Sequence, residues 1–174
     1  MTSVEIRILT PDDAAAYRAI RLEMLEREPE AFSSSPDDHN KLSEEEIRRR
    51  LAVDLAEHFV VGAFVDGQLV GAAGFVRESQ LKSRHKGRIW GVYLRAEMRG
   101  QGIGRGMLQS LLDRAVKIDG LEQILINVTT AQVAAQSLYR SLGFVSFGTE
   151  RRALKFANRY LDEEYMALGI APRP

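Results

Sequence analysis

The stretch Met98–Met107, MRGQGIGRGM, sets glycines at 100, 102, 104 and 106 around Arg105, with Arg99 just ahead of them. Glycine weakens helix and strand interiors, so such a cluster needs a local reason. Three readings compete: a loose linker, a tight turn, or a loop whose backbone approaches an anion. Glycines between a strand and a helix start let several N–H groups converge where the helix dipole is positive. Arg99 and Arg105 would add charge there. The dinucleotide fingerprint Gly-x-Gly-x-x-Gly is absent, and no Gly-Lys-Ser/Thr of a P-loop follows. Taken alone the cluster reads as a turn, so its neighbours must decide.

Other chemistries are narrowed by composition. With no cysteine there is no disulfide, thiolate nucleophile or thiolate metal site. The three histidines, His39, His58 and His85, lack metal-ligand spacing, so no metal site is expected. The 24 basic residues balance the 24 acidic ones, which gives no general attraction to nucleic acid or an anionic membrane. No apolar run follows a basic N-terminal segment and none reaches spanning length, so a cytoplasmic location is expected. At 174 residues, 45% hydrophobic and 28% charged, the chain is expected to form one domain over 1–174 with a full core.

The elements around the glycines follow from periodicity. Val4–Leu9 alternates as a strand, and Thr10-Pro11-Asp12-Asp13 reads as a helix start running to about Glu28. EPEAFSSSPDDHN is read as a loop, its SPDD as a turn. Ser43 and Glu46 make a capping box, with Ile47, Leu51 and Leu55 as one helical stripe. FVVGAFV and LVGAAGFV form a hairpin across Asp66-Gly67. Arg88–Leu94 is the next strand, and its interior Gly91 suggests a bulge or a ligand close to the backbone. A helix faced by Met107, Leu108, Leu111, Leu112 and Ala115 follows the cluster, then a strand Gln123–Val128 and a helix of about Gln132–Leu142 stopped by Gly143. The tail reads as two or three strands. The whole is an α/β domain with a mixed, mostly antiparallel sheet.

With a strand before it and an amphipathic helix after it, Arg99-Gly100-Gln101-Gly102-Ile103-Gly104 fits the Arg/Gln-x-x-Gly-x-Gly/Ala motif of GNAT-type N-acetyltransferases. IWGVYLRAEMRGQGIG resembles that family's fourth strand and pyrophosphate loop. AAQSLYRSLGF resembles its Ala-x-x-Leu-Tyr…Gly-Phe segment, giving Ala135, Leu138, Tyr139, Gly143 and Phe144. The likeness extends over about Val4–Leu168. One departure stands out: the family's frequent Asn three residues before that alanine is Gln132 here.

The resemblance implies the GNAT fold, a mostly antiparallel sheet with splayed middle strands flanked by helices, and acetyl-CoA as co-substrate. Pantetheine would pair with the backbone of Val92, Tyr93 and Leu94, and the pyrophosphate would rest on the amides of Gly100, Gln101, Gly102, Ile103, Gly104 and Arg105, beside Arg99 and Gln132. Such pairing is β-augmentation by a ligand. Tyr139 matches the family tyrosine that donates a proton to the leaving thiolate; its alternative is helix packing. A backbone N–H near Leu94 would polarise the thioester carbonyl. The strand carboxylate that many members use as base is missing from GRIWGVY, which leaves Glu78, Glu150 or a water chain. Phe32–Asp38, Trp90 and the tail would shape a pocket for the amine acceptor of a small molecule or peptide. The resemblance also implies a homodimer through tail or sheet-edge strands. A non-catalytic CoA-binding module on the same scaffold is the rival reading.

Overall fold

Asp66 and Gly67 both take positive φ, 49° and 78°, the geometry of a tight hairpin turn. They join β2 (His58–Val65) to β3 (Gln68–Arg77), the most deeply buried pair of strands. The computed structural model describes residues 3–52 and 54–171. Around this hairpin a seven-stranded sheet is built in the order β1-β2-β3-β4-β5-β7-β6, from β1 (Val4–Ile8), β4 (Lys86–Leu94), β5 (Gln123–Thr129), β6 (Val145–Phe156) and β7 (Arg159–Gly169). Every neighbouring pair is antiparallel except β4 and β5.

Helices cover both faces. On one side α4 (Ile103–Ala115) and α5 (Val133–Ser141) seal a core that includes Phe59, Phe75, Ile89, Met107, Leu111, Ile126 and Met166. On the other, α1 (Ala14–Arg27) and α3 (Glu44–Leu51) press Tyr17, Ile20, Met24, Ile47 and Leu51 onto Val60, Phe64 and Ala72. Each fully buried aliphatic side chain there contributes roughly 1.5–3 kcal/mol. Met107→Ala, at a fully buried position, would cost about 2–5 kcal/mol through the cavity it leaves.

Local signals account for most boundaries. Asp13 accepts from the Thr10 amide at 2.8 Å, ahead of a 3-10 turn that feeds α1. Ser43 and Glu46 form the expected capping box, with the Glu46 carboxylate 2.7 Å from the Ser43 amide. Two expectations are corrected, and a third is narrowed. SPDD is not a turn but the start of a short helix, α2 (Pro36–Asn40), because Ser35 and Asp38 cap one another reciprocally. Leu55 lies beyond α3 and is 52% exposed, so the apolar stripe stops at Leu51. The tail resolves into two long strands, turned at Ala157 and Asn158, both with positive φ.

The centre of the sheet is opened by two devices. β4 and β5 pair only from Lys86 to Arg88 against Gln123 to Leu125, and beyond that they part. On its other edge β4 carries a bulge: Trp90 faces Gly74 and Tyr93 faces Ala72, so Gly91 and Val92 together oppose Ala73. Gly91 sits at φ 61°, and a Cβ there would come within 2.9 Å of the Arg21 guanidinium. Glycine is therefore required twice at one point.

Candidate active site

The split between β4 and β5 opens into a cavity of about 420 Å³. Its floor is the β4 backbone from Ile89 to Leu94, its far wall is Ile126, Asn127 and Val128 of β5, and α4 and α5 close one end. The glycine cluster lies at that end. Gly100 and Gly102 take φ of 75° and 80°, and a Cβ on either would meet no atom within 4 Å. The loop thus exposes bare backbone to open space. Gly102 caps α4 in a left-handed conformation, and the first amides of the helix begin at Ile103. These are donors without partners inside the helix, at its positive end. A cradle of this kind has the donors and the room for a pyrophosphate.

The sequence candidates fall into groups. Val92, Tyr93, Leu94, Arg99, Gly100, Gly102, Gly104, Arg105, Gln132 and Tyr139 all line the cavity. Gln101 and Ile103 do not: the Gln101 amide group bonds back to the Glu97 carbonyl at 3.1 Å, and Ile103 is buried in the core. Those two have only their backbone to offer. Arg99 is committed as well, donating to the Leu94 carbonyl at 2.9 Å and pairing with Glu28. It fastens the loop to β4 and α1 rather than standing free as an anion ligand. Arg105 reaches Ser141 of α5.

Tyr139 is 5% exposed, stands edge-on to Phe144 at 6.2 Å, and has no hydrogen-bonding partner among the described residues. Burial pushes its phenol well above the ordinary value, so the hydroxyl stays protonated at any physiological pH. Tyr93 is different. Its hydroxyl donates to Glu23 at 3.1 Å, and burial together with that carboxylate pushes it up to about 12. Glu23 also holds Arg95 at 2.9 Å, so Tyr93 is part of a bracket between α1 and β4.

Neither Glu78 nor Glu150 reaches the cavity. Glu78 lies 3.9 Å from Arg88, and Glu150 accepts from the Tyr165 hydroxyl at 2.6 Å. The carboxylates on the cavity wall are Glu28 and Glu163. Glu163, on β7, is only 6% exposed and accepts from the Asn127 side-chain amide through Oε2 at 2.9 Å. Its Oε1 has no protein partner among the described residues. Strand alternation explains its aim. Glu164 turns to Arg140 of α5 and Met166 to the core behind α4, so Glu163 and Tyr165 face the opposite side. Sequence reasoning missed Glu163; the alternation of EEYM was the available signal, unreadable until the partner strand was known.

A profile of the acetyltransferase (GNAT) family matches residues 18–144 of this sequence. The chain belongs to the GNAT family. Two curated relatives, the L-methionine sulfoximine/L-methionine sulfone acetyltransferases of Pseudomonas aeruginosa and Pseudomonas paraeruginosa, are each 33% identical over 81 residues. That match covers 47% of this chain and 46% of theirs, so the chain spans about half the length of the curated relatives it matches. Solved structures share the fold across the chain. A GNAT acetyltransferase from Streptococcus pneumoniae superposes with a TM-score of 0.86 at 24% identity, covering 97% of this chain and all of that one (100%). The yncA protein of Salmonella typhimurium, solved with its cofactor acetyl-CoA, gives 0.82 at 22% identity over 98% and 95%. The parted central strands and mostly antiparallel sheet of this chain are thus those of a GNAT fold. Among the described residues no helix is long and apolar enough to cross a membrane.

Proposed function

We propose that this GNAT chain moves the acetyl group of acetyl-CoA directly to a primary amine of a small molecule or peptide. The observation that carries the reading is the alignment of three features along one cavity: bare glycine backbone at the α4 terminus, the freed edge of β4, and the buried Tyr139 hydroxyl. Acetyl-CoA supplies a thioester, an acetyl donor whose sulfur leaves readily. The amides of Gly100 to Arg105 would hold its pyrophosphate, and β4 from Val92 to Leu94 would pair with its pantetheine amides, a reading supported by the open glycine backbone and the parted strand edge. A β4 amide near Leu94 would polarise the carbonyl.

Atoms balance as follows. A bond forms between the amine nitrogen and the acetyl carbon while the carbon–sulfur bond breaks. The nitrogen sheds a proton, for which Glu163 Oε1 is the available base on the cavity wall. The sulfur departs as a thiolate, toward which Tyr139 donates its hydroxyl hydrogen. A phenol (ordinary value about 10) is a weaker acid than a thiol (about 8.5), and burial widens that difference, so Tyr139 stabilises the sulfur as a hydrogen-bond donor. Complete protonation to free CoA follows from solvent.

The test pairs binding with turnover. Acetyl-CoA and CoA should raise the melting temperature, and ATP and NAD far less, because only CoA engages the loop and β4 together. Saturation at a hundred times the dissociation constant adds about 2.7 kcal/mol. Equal shifts from ATP and CoA would overturn the site. Release of thiol from acetyl-CoA across an amine panel reads the reaction itself.

A further inference from the structure

Of the arginines near the parted strands, Arg95 holds Glu23, Arg99 holds Glu28 and Arg140 holds Glu164, while Arg105 bonds to Ser141. Arg21 has no carboxylate partner among the described residues. Its guanidinium is half-buried, and its polar contacts are two weak ones, to Ser34 Oγ at 3.4 Å and Met24 Sδ at 3.5 Å. It lies against Gly91 at the bulge, 5.7 Å from the Trp90 ring and 5.9 Å from the Phe32 ring. Gly91, Trp90 and Phe32 all line the cavity, on the side away from α4 and α5. Aromatic faces partly offset the loss of water around a guanidinium, but they leave its planar fork of donors unused. Burial accordingly lowers its proton affinity; the neighbouring Tyr17 phenol offsets this only in part, and Arg50 lowers it further.

Across the parted strands the charge is reversed. Glu163 presents a carboxylate with one oxygen free, on the same face of the sheet as α1. From these two observations we infer that the acceptor is an amino acid, its carboxylate received by Arg21 and its amine by Glu163. The inference rests on the acetyl-transfer reading and names its substrate class. A carboxylate matches the Arg fork with two parallel hydrogen bonds, whereas an uncharged amine would leave the guanidinium buried and unmatched. The bulge has a role in this: with Gly91 carrying no side chain, the guanidinium packs against the β4 backbone beside a glycine that lines the cavity.

The experiment uses the full chain with acetyl-CoA and reads thiol release. Probes are the L-α-amino acids and straight-chain ω-amino acids, each matched with its own carboxamide, and assays compare wild type with Arg21→Met and Arg21→Lys. Free acids should outrun their carboxamides in wild type, although the amide's amine is the more easily deprotonated. Arg21→Met should lower kcat/KM for the acids by about 10–100-fold, mostly through KM, and leave the carboxamides within about threefold. Arg21→Lys should recover part of the loss, having charge but no fork. Equal losses on acids and carboxamides would make Arg21 a packing residue and overturn the inference. Preference for carboxamides, unaltered by Arg21→Met, would overturn it while leaving acetyl transfer standing. Absence of thiol release from every probe, with acetyl-CoA still raising the melting temperature, would overturn both. Melting temperatures of both variants, with and without acetyl-CoA, show whether each is folded when assayed.

Discussion

Asn127 and Glu163 meet across β5 and β7 on the cavity wall, the amide donating to Oε2 at 2.9 Å while Oε1 has no partner among the described residues. Asn127 thereby fixes the carboxylate's orientation and leaves one oxygen for a substrate proton. Glu163→Gln keeps shape and hydrogen bonding but removes the base. Turnover at pH 7 should fall by about 10²–10⁴-fold, with acetyl-CoA affinity unaltered. The deficit should narrow as pH rises toward about 10, because more of the amine then arrives deprotonated. A pH–rate profile identical in shape to wild type would exclude Glu163 as the base.

Glycine in the loop is needed for different reasons at different positions. Gly102 has φ 80°, so any side chain there strains the backbone as well as filling the cradle. Gly104 has no such φ, and a Cβ would sit 3.6 Å from Leu94 and 3.9 Å from Leu138, ordinary contacts. Gly104→Val is therefore the cleaner probe, since it obstructs ligand approach without backbone strain. Acetyl-CoA should bind at least about tenfold more weakly, a cost near 1.4 kcal/mol, while the unliganded melting temperature moves little. Calorimetric titration of the variant checks it; wild-type affinity would mean that the loop is only a turn.

What was legible in the sequence was local. The Asp66-Gly67 hairpin, the Ser43–Glu46 cap and the strand–glycine–helix passage each lie within a few residues, where φ, capping and periodicity are decided. The family motif then supplied the parted sheet, and β4 and β5 part just where it implied. Glu163 was out of reach for a physical reason. It is 36 residues from Asn127, and the two meet only because β7 inserts between β5 and β6. Arg21 reads from sequence as one more helix-surface arginine, and its place against Gly91 between the Trp90 and Phe32 rings follows from how α1 packs on the β4 bulge. Such relationships are properties of register and packing.

The start of α1 carries a pH signature. Arg7 grips Asp13 with two hydrogen bonds of 2.8 Å, which hold the carboxyl below its ordinary range. A carboxyl whose folded value is depressed stabilises the fold above the unfolded value, about 3.9, and loses that contribution as pH falls through the folded one. Arg7 is partly exposed, so screening trims the pair to about 1 kcal/mol. Asp13→Asn should lower stability by about that much at pH 7, and the gap should shrink as pH falls below the unfolded value of about 3.9. Urea unfolding at pH 7 and below that value measures it. A gap of constant size would mean that the loss does not come from the ionised carboxylate.

Tyr139 offers the sharpest separation of chemistry from packing. Its ring is buried against Phe144 and its hydroxyl has no protein partner among the described residues, so Tyr139→Phe preserves the packing and strands no other group. If the hydroxyl donates to the departing sulfur, turnover should fall by about 10²-fold, toward the low end of acid assistance, because a thiolate is already a tolerable leaving group. KM for acetyl-CoA should hardly move, since the contact strengthens only as charge builds on sulfur. Burial has raised the phenol's proton affinity, so no fall in activity from its ionisation is expected up to pH 10. Tyr139→Ala should add a different defect, a drop in stability of about 3–5 kcal/mol from the vacated ring. Turnover, acetyl-CoA affinity and melting temperature measured on both variants divide the two roles. A fully active Phe variant would leave Tyr139 as a packing residue and put the leaving sulfur in contact with solvent alone.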